Sequence, residues 1–288
     1  MDVIKTLIHS AWEFAFAAHG QVNGPQDCAS LTFRPATVPG TNLTDLQAAG
    51  LVEPDTSATY EDSFAPYKRM DFIYRTQFRG GAAAGKRHVR LVCEGLDTVC
   101  EIYLNGERIG YAENAHTGYE FDVAGKVKAG ENTLLLIFRS PMVEAEARQK
   151  RFGIKFPAHL GSDFMFIRKP AYAFFWDWGP ELPVSGIYRP IYLKAFDRAE
   201  IADFHVRYTI RDGDVAGTVA VNAPGGDGAT ATVHIAGREF SAPVAGGRAS
   251  VPFTVKGARL WYPNGEGEPF LYDMAIALVD GDTLDARE

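Results

Sequence analysis

The sequence has few cysteines, no long apolar run and no excess of positive charge, and each shortage excludes a class of protein. Its three cysteines, Cys28, Cys93 and Cys100, are too few and odd in number for a disulfide framework, which is typical of a reducing compartment. No apolar stretch approaches the roughly 20 residues that a membrane helix needs. With 36 acidic and 29 basic residues, the formal net charge is -7, which argues against nucleic acid and anionic membrane surfaces as partners.

Common catalytic and cofactor motifs are also missing. The seven histidines show no His-x-x-x-His spacing for zinc, and the sequence has no Gly-x-Ser-x-Gly nucleophile elbow. Residues 80–86 have phosphate-loop spacing, but Arg87 stands where Ser or Thr would bind magnesium. We therefore predict no metal and no cofactor. Residues 1–5 lack a basic start followed by an apolar stretch, so no signal peptide is predicted and the cytoplasm is the expected location.

Short apolar strands separated by turn residues make up most of the chain. The pair Asn105-Gly106 suits a type I′ hairpin, because both central residues of that turn need positive φ. Short helices are predicted at residues 44–49 and 142–150. Strands are predicted at residues 89–94, 99–104, 107–111, 133–138 and 186–196. Strands at this spacing predict a sandwich or a barrel.

A length of 288 residues and a change of composition near residue 197 indicate two domains. We predict one domain over residues 1–197 and an immunoglobulin-like sandwich over residues 198–288, where Ala, Gly and Val alternate with polar residues. Asp280-Gly281-Asp282 resembles a hairpin turn, but only residues 283–288 remain to supply its second strand. The sequence therefore predicts that the second domain is incomplete at its C-terminal end.

Aromatic residues concentrate in residues 164–193, around Trp176-Asp177-Trp178-Gly179-Pro180. Two indoles beside a carboxylate could hold a sugar, because the C–H face of a pyranose stacks on an aromatic ring while its hydroxyls need directed hydrogen bonds. The same residues could instead be sandwich core followed by a turn. Composition alone leaves both interpretations open.

Eight motifs follow one another along nearly the whole chain. They are Val38-Pro39-Gly40, Asp71-Phe72-Ile73-Tyr74-Arg75, Glu94-Gly95-Leu96-Asp97-Thr98, Tyr103-Leu104-Asn105-Gly106, Arg168-Lys169-Pro170-Ala171-Tyr172, Phe175-Trp176-Asp177-Trp178-Gly179-Pro180, Gly186-Ile187-Tyr188-Arg189-Pro190 and Leu260-Trp261-Tyr262-Pro263-Asn264-Gly265. Together they resemble the β-mannosidases of glycoside hydrolase family 2. Several of these motifs are typical of family 2 in general, whereas residues 176–180 point to β-mannosidase.

The resemblance implies an all-β chain with a jelly-roll (galactose-binding-like) β-sandwich, then an immunoglobulin-like sandwich, truncated before a (β/α)₈ catalytic barrel. Such enzymes are retaining exo-glycosidases, and their chemistry needs two carboxyl groups about 5 Å apart. In the family the acid/base Glu follows an Asn, and this sequence contains no Asn-Glu pair. We therefore expect no catalytic residue in this chain and no activity from the chain alone. Its expected partners are β-mannoside oligosaccharides and the missing barrel.

By the same likeness, a loop of the first domain closes the pocket for the terminal mannose. Trp176 would supply apolar surface and Asp177 would accept hydrogen bonds from the sugar. Arg168 and Trp178 would support this loop. Three positions depart from the family: Phe175 replaces a common Gly, Tyr188 replaces a common Trp, and Asn114-Ala115-His116 replaces Asn-Met-Phe.

Two other functions stay open at this point. The chain could be a free-standing carbohydrate-binding module, or part of a different family 2 enzyme such as a glucosaminidase or a galactosidase. The missing barrel and the unpaired C-terminal turn favour the β-mannosidase fragment over a module.

Overall fold

The computed structural model describes residues 2–9, 11–155, 163–176 and 179–288, and the chain divides into two compact units. One unit comprises residues 5–194. The other comprises residues 1–4 together with residues 195–288. Strands dominate both units, which confirms the all-β class.

The first unit has two main sheets connected by short helices and turns. Its strands are β1 (Ile4–Leu7), β2 (Trp12–Ala18), β3 (Arg34–Ala36), β4 (Met70–Arg79), β5 (His88–Cys93), β6 (Leu96–Asp97), β7 (Cys100–Leu104), β8 (Glu107–Ala112), β9 (Tyr119–Asp122), β10 (Glu131–Phe138), β11 (Phe174–Trp176), β12 (Gly179–Glu181), β13 (Gly186–Ile187) and β14 (Ile191–Phe196). Within the described residues, β3-β2-β4-β10-β7-β8 form a six-stranded sheet and β1-β14-β5-β9 form a four-stranded sheet. These are the layers of the predicted jelly-roll sandwich.

Strands β4 and β10 lie at the centre of the six-stranded sheet and are buried on both faces. On one face, Leu136 lies opposite Tyr74 and Phe138 opposite Phe72, all fully buried. On the other face, Ile137 packs in a cluster that includes residues of the 22–33 segment. Burial on both faces explains why residues 134–138 are an unbroken apolar run rather than an alternating one.

The predicted hairpin and both predicted helices form. Asn105 and Gly106 have φ values of 51° and 89°, as a type I′ turn requires. The helices are α1 (Asn42–Ala48), α2 (Tyr60–Phe64) and α3 (Pro141–Phe152). Helix α3 begins after Ser140, whose Oγ accepts the Val143 N–H, and ends at Gly153 in the left-handed conformation. No helix in the described part of the chain has the length and apolarity to span a membrane.

The predicted single strand over residues 186–196 is wrong, because two strands occupy this range. Strand β13 pairs with β6, whereas β14 joins β5 in the four-stranded sheet. Pro190 lies between them and has no N–H to continue a ladder. Ile187, Ile191 and Leu193 are buried as expected, but Arg189 is exposed.

The second unit is a sandwich of two antiparallel sheets, as predicted for an immunoglobulin-like domain. Its strands are β15 (Asp203–Arg211), β16 (Asp214–Asn222), β17 (Thr230–Ile235), β18 (Arg238–Pro243), β19 (Arg248–Val255), β20 (Met274–Asp280) and β21 (Asp282–Arg287). In residues 195–288, all of which are described, the sheets have the orders β15-β16-β19 and β18-β17-β20-β21. Val219 and Val251 from the first sheet and Val233 and Leu278 from the second share one buried core.

The turn at Asp280-Gly281-Asp282 has its second strand. Strand β21 pairs with β20 along its length, and Leu284 is buried in the core. Residues 2 and 3 also donate their N–H groups to the Leu284 carbonyl, at 3.0 and 3.1 Å. The expectation of an unpaired turn is therefore wrong, because six residues suffice for a strand that packs on one side against the core.

All three cysteines are buried and free of disulfides. Burial raises the pKa of the Cys93 thiol to about 12, and burial also raises the pKa of Cys100. Thiols with such pKa values carry little thiolate near neutral pH, so they pack as small apolar residues.

Candidate functional site

The Trp-Asp-Trp motif belongs to a small antiparallel hairpin. Strands β11 and β12 pair through Phe174 with Glu181 and through Trp176 with Gly179. Asp177 and Trp178 connect these strands in the sequence and lie outside the described residues, and for Trp176 the structure describes the backbone. The sugar contacts predicted for Trp176 and Asp177, and the supporting role of Trp178, therefore stay predictions.

The aromatic residues before the motif divide into core and surface. Phe174 is buried and stacks on Phe164 with ring centroids 5.4 Å apart, in a cluster with Ala145 of α3. Tyr172 and Phe175 are exposed. The core interpretation therefore holds for Phe174. Tyr172 and Phe175 face solvent, and the sugar interpretation stays a prediction.

Strand β12 is anchored by charge. The Glu181 carboxylate lies 2.8 Å from Lys68 Nζ, and the Glu181 N–H donates to Glu61 Oε1 at 3.1 Å. Lys68 Nζ also lies 3.6 Å from Glu61, which is on α2. One ammonium thus compensates two carboxylates and holds the second strand of the hairpin against α2.

Lys169 connects the segments on both sides of the hairpin. Its Nζ donates to the Asp97 carboxylate and, at 2.7 Å, to the Val184 carbonyl. The side chain is 1% exposed, and this burial lowers the pKa of Lys169 although the Asp97 carboxylate opposes the shift. Asp97 ends β6, which pairs with β13 at Gly186. The Lys169 ammonium thus ties the chain before β11 to the chain after β12 by a hydrogen bond, and to β6 by a buried ion pair.

Arg168 contributes to the same region through its backbone. Its carbonyl accepts the Ala115 N–H at 2.9 Å, while its side chain is exposed. The Tyr188 hydroxyl donates to the Ala115 carbonyl. Two of the positions that depart from the family, 115 and 188, therefore contact each other here. The predicted role of the Arg168 guanidinium stays a prediction.

A cavity of about 540 Å³ lies beside β12. This volume is within the range of small-molecule sites. Its lining is mostly apolar, with Asp97 and Lys169 as charged groups; the other residues include Leu43, Pro170, Tyr172, Pro180 and Leu182. In the described part of the chain, no three His, Cys, Asp or Glu side chains are grouped so that they could hold a metal ion.

Phe175 adopts a backbone conformation that favours glycine. Its φ is 74°, whereas a bulky side chain in the left-handed region costs roughly 1–2 kcal/mol. The ring is 48% exposed, so packing of the side chain offsets little of this free-energy cost. The sequence noted Phe175 as a departure, but only the structure shows that the departure carries backbone strain.

We expect Phe175→Gly to be more stable than Phe175→Ala by about 1 kcal/mol, because both variants lose the ring and only glycine escapes the penalty at positive φ. The free energy of unfolding from urea titration measures the difference. Equal stabilities of the two variants would show that residue 175 can relax out of the left-handed region at no cost.

Comparison with known proteins agrees with this architecture. The model of the glycosyl hydrolase 2 galactose-binding domain-like family matches residues 12–189, and the model described as glycosyl hydrolases family 2 matches residues 192–288. Beta-mannosidase B of Emericella nidulans is 27% identical over 259 residues, which cover 84% of this chain and 30% of that protein.

Solved structures show the same fold. The β-D-mannosidase of Dictyoglomus thermophilum superimposes with a TM-score of 0.84 and 29% identity, over 99% of this chain and 35% of that one. A β-D-glucuronidase from the same organism has a TM-score of 0.61 at 16% identity, over 99% of this chain and 43% of that one, and shares the fold alone. The chain thus spans between 20% and 35% of the length of its β-mannosidase relatives. With both of its units matched in order, the chain belongs to glycoside hydrolase family 2.

Proposed function

We propose that this chain is the N-terminal, non-catalytic part of a retaining exo-β-mannosidase, and that the β11–β12 hairpin closes part of the pocket for the terminal β-D-mannose. The observation that carries the proposal is the position of the motif. Trp176 and Gly179 pair in a hairpin whose second strand is held by Lys68 and whose flanking segments are joined by Lys169. Likeness over nearly the whole chain to a protein named as a β-mannosidase supports the choice of sugar.

In this proposal, the hairpin recognises the sugar and does not cut it. Trp176 offers its ring to the C–H face of the mannose, and Asp177 accepts hydrogen bonds from hydroxyls remote from the bond that is cleaved. Contacts remote from the reacting centre can orient it, so their loss lowers kcat as well as affinity. A fixed backbone under the motif reduces the entropy cost of ordering it around the ligand.

We expect the purified 288-residue chain not to hydrolyse a chromogenic β-mannoside. The carboxylates described near the hairpin are paired with lysines: Glu61 and Glu181 share Lys68, and Asp97 pairs with Lys169. Release of nitrophenol from the aryl β-mannoside is the measurement, and a mock purification from the same host is the control. Turnover that exceeds the mock sample and copurifies with the chain would contradict the division of roles.

In the longer enzyme, we expect Asp177→Ala to lower kcat/KM for β-mannosides roughly 10- to 150-fold. The range corresponds to the loss of a hydrogen bond to a charged group, worth about 1.5–3 kcal/mol. The control is Glu107→Gln, which removes an exposed carboxylate from the same unit without changing either strand of the hairpin. Unchanged kinetics for Asp177→Ala, with an unchanged unfolding midpoint, would make Asp177 a turn residue.

A further inference from the structure

Strand β15 presents an apolar face that the second unit covers only in part: Val206 packs against the core, whereas Phe204, Tyr208 and Ile210 are exposed. Successive side chains of a strand point to opposite faces. In β15 one face carries Phe204, Val206, Tyr208 and Ile210, and the other carries charged and polar residues. Tyr208 is 60% exposed although it lies on the face that a sandwich normally buries. Strand β15 is also an edge strand of its sheet.

This face forms one wall of a groove of about 500 Å³, which we call the apolar groove. The opposite wall comes from residues 258–272, where Trp261 is exposed and Leu271 is 75% exposed. The large apolar and aromatic side chains that line the groove include Tyr208, Ile210, Trp261, Phe270, Leu271 and Tyr272. A contiguous apolar surface of this kind marks an interaction site on a soluble protein.

The apolar groove has few polar groups, and its one charged side chain, that of Arg259, is already engaged. The Arg259 guanidinium pairs with Glu268 and lies 3.8 Å from the Phe270 ring centroid. The Tyr272 hydroxyl accepts the Arg259 N–H at 2.9 Å. A sugar in this groove would leave its hydroxyls with few partners, which costs free energy. Apolar side chains of a polypeptide suit the groove better.

The chain also ends beside the apolar groove. Glu288 and Ile235 line a neighbouring cavity of about 570 Å³, and Ile235 lines the apolar groove as well. Polypeptide that continued from Glu288 would therefore emerge at this end of the sandwich. The relatives have that additional length, since the chain spans 30% and 35% of two of them.

We propose that the apolar groove is the docking surface for the polypeptide that follows Glu288 in the longer enzyme. Apolar side chains of that polypeptide cover Tyr208, Ile210 and Leu271. The proposal rests on the proposed function only in that the chain is one part of a longer protein. It does not depend on any sugar contact of the hairpin.

The test compares the 288-residue chain with the full product of its gene by hydrogen exchange. We expect amides of residues 204–210 and 258–272 to exchange at least tenfold more slowly in the longer protein. Amides of residues 248–250, at the opposite end of β19 from Val255, should keep their rates. Equal exchange at the groove would overturn the proposal, and so would a reading frame that stops after codon 288.

Substitutions on β15 test whether Tyr208 and Ile210 belong to the docking surface. In the longer protein, we expect Tyr208→Ser combined with Ile210→Ser to restore fast exchange over residues 258–272 and to lower the unfolding midpoint. Arg207→Ser, on the opposite face of the same strand, is the matched control and should change neither. In the 288-residue chain, the double variant should leave the midpoint nearly unchanged, because its side chains are exposed there. Loss of stability in both proteins would instead assign the two residues to the core of the unit.

Two further measurements distinguish between possible occupants of the apolar groove and between the two proposals. Sedimentation of the 288-residue chain should show a monomer; a dimer that the double variant abolishes would assign the groove to a second copy and overturn the proposal. Asp177→Ala in the longer protein should lower activity without changing exchange at the groove. If Asp177→Ala leaves activity unchanged, the sugar contact is contradicted but the docking proposal is not. If exchange at the groove is equal in the two proteins, the docking proposal is contradicted but the sugar contact is not.

Discussion

Lys169→Met should destabilise the first unit by about 3–5 kcal/mol. The substitution keeps the volume of the side chain but removes the ammonium, which leaves the mostly buried Asp97 carboxylate without its cation and the Val184 carbonyl without a donor. Breaking a buried pair from one side carries a cost of this size. Urea unfolding followed by tryptophan fluorescence reports it, since Trp12, Trp176 and Trp178 lie in this unit.

Two controls separate the buried charge from other effects of the substitution. Lys126→Met breaks the exposed pair with Glu107 and should cost less than about 1 kcal/mol. The double variant Lys169→Met with Asp97→Leu removes both charges and should recover most of the lost stability, because an apolar pair replaces a buried ion pair at little cost. A double variant as unstable as the single one would show that packing rather than charge accounts for the loss.

Lys169 also shows what the sequence could and could not predict about the site. The motif Arg168-Lys169-Pro170-Ala171-Tyr172 was recognisable, and the sequence favoured Arg168 as the support. The structure buries the Lys169 side chain, which the sequence did not single out, and exposes that of Arg168, whose supporting role stays a prediction. Spacing along an irregular segment does not fix which way a side chain points, so the choice between neighbours depended on β6, some 70 residues earlier.

The fold was more predictable than the site because its signals are local. Short apolar runs located β5, β7, β8 and β10, and the φ requirements of Asn105-Gly106 located a hairpin. The errors arose where pairing depends on distant residues. Residues 186–196 change partner from β6 to β5, and the short strand β21 is stabilised by β20 and by the core around Leu284. No local pattern contains those partners.

Asp71→Ala should destabilise the first unit by about 3–5 kcal/mol as well, because Asp71 joins three elements at one buried point. Its carboxylate is fully buried and lies 2.8 Å from Arg139 Nη1. It also accepts the N–H groups of Gly20 and Ser140, at 3.0 and 2.8 Å, and lies 2.8 Å from His19 Nδ1. One side chain thus holds the end of β2, the end of β10 and the start of α3.

Asparagine at position 71 should recover little of this stability. An amide keeps one acceptor oxygen but turns an N–H₂ group toward donors such as Arg139 and Gly20, so donors face each other in a site without water access. Glu13→Gln is the matched control, since Glu13 pairs with Arg75 on the same sheet while both side chains are partly exposed. It should cost less than about 1 kcal/mol. If Asp71→Asn proved as mild as Glu13→Gln in urea unfolding, shape rather than charge at position 71 would hold the three elements together.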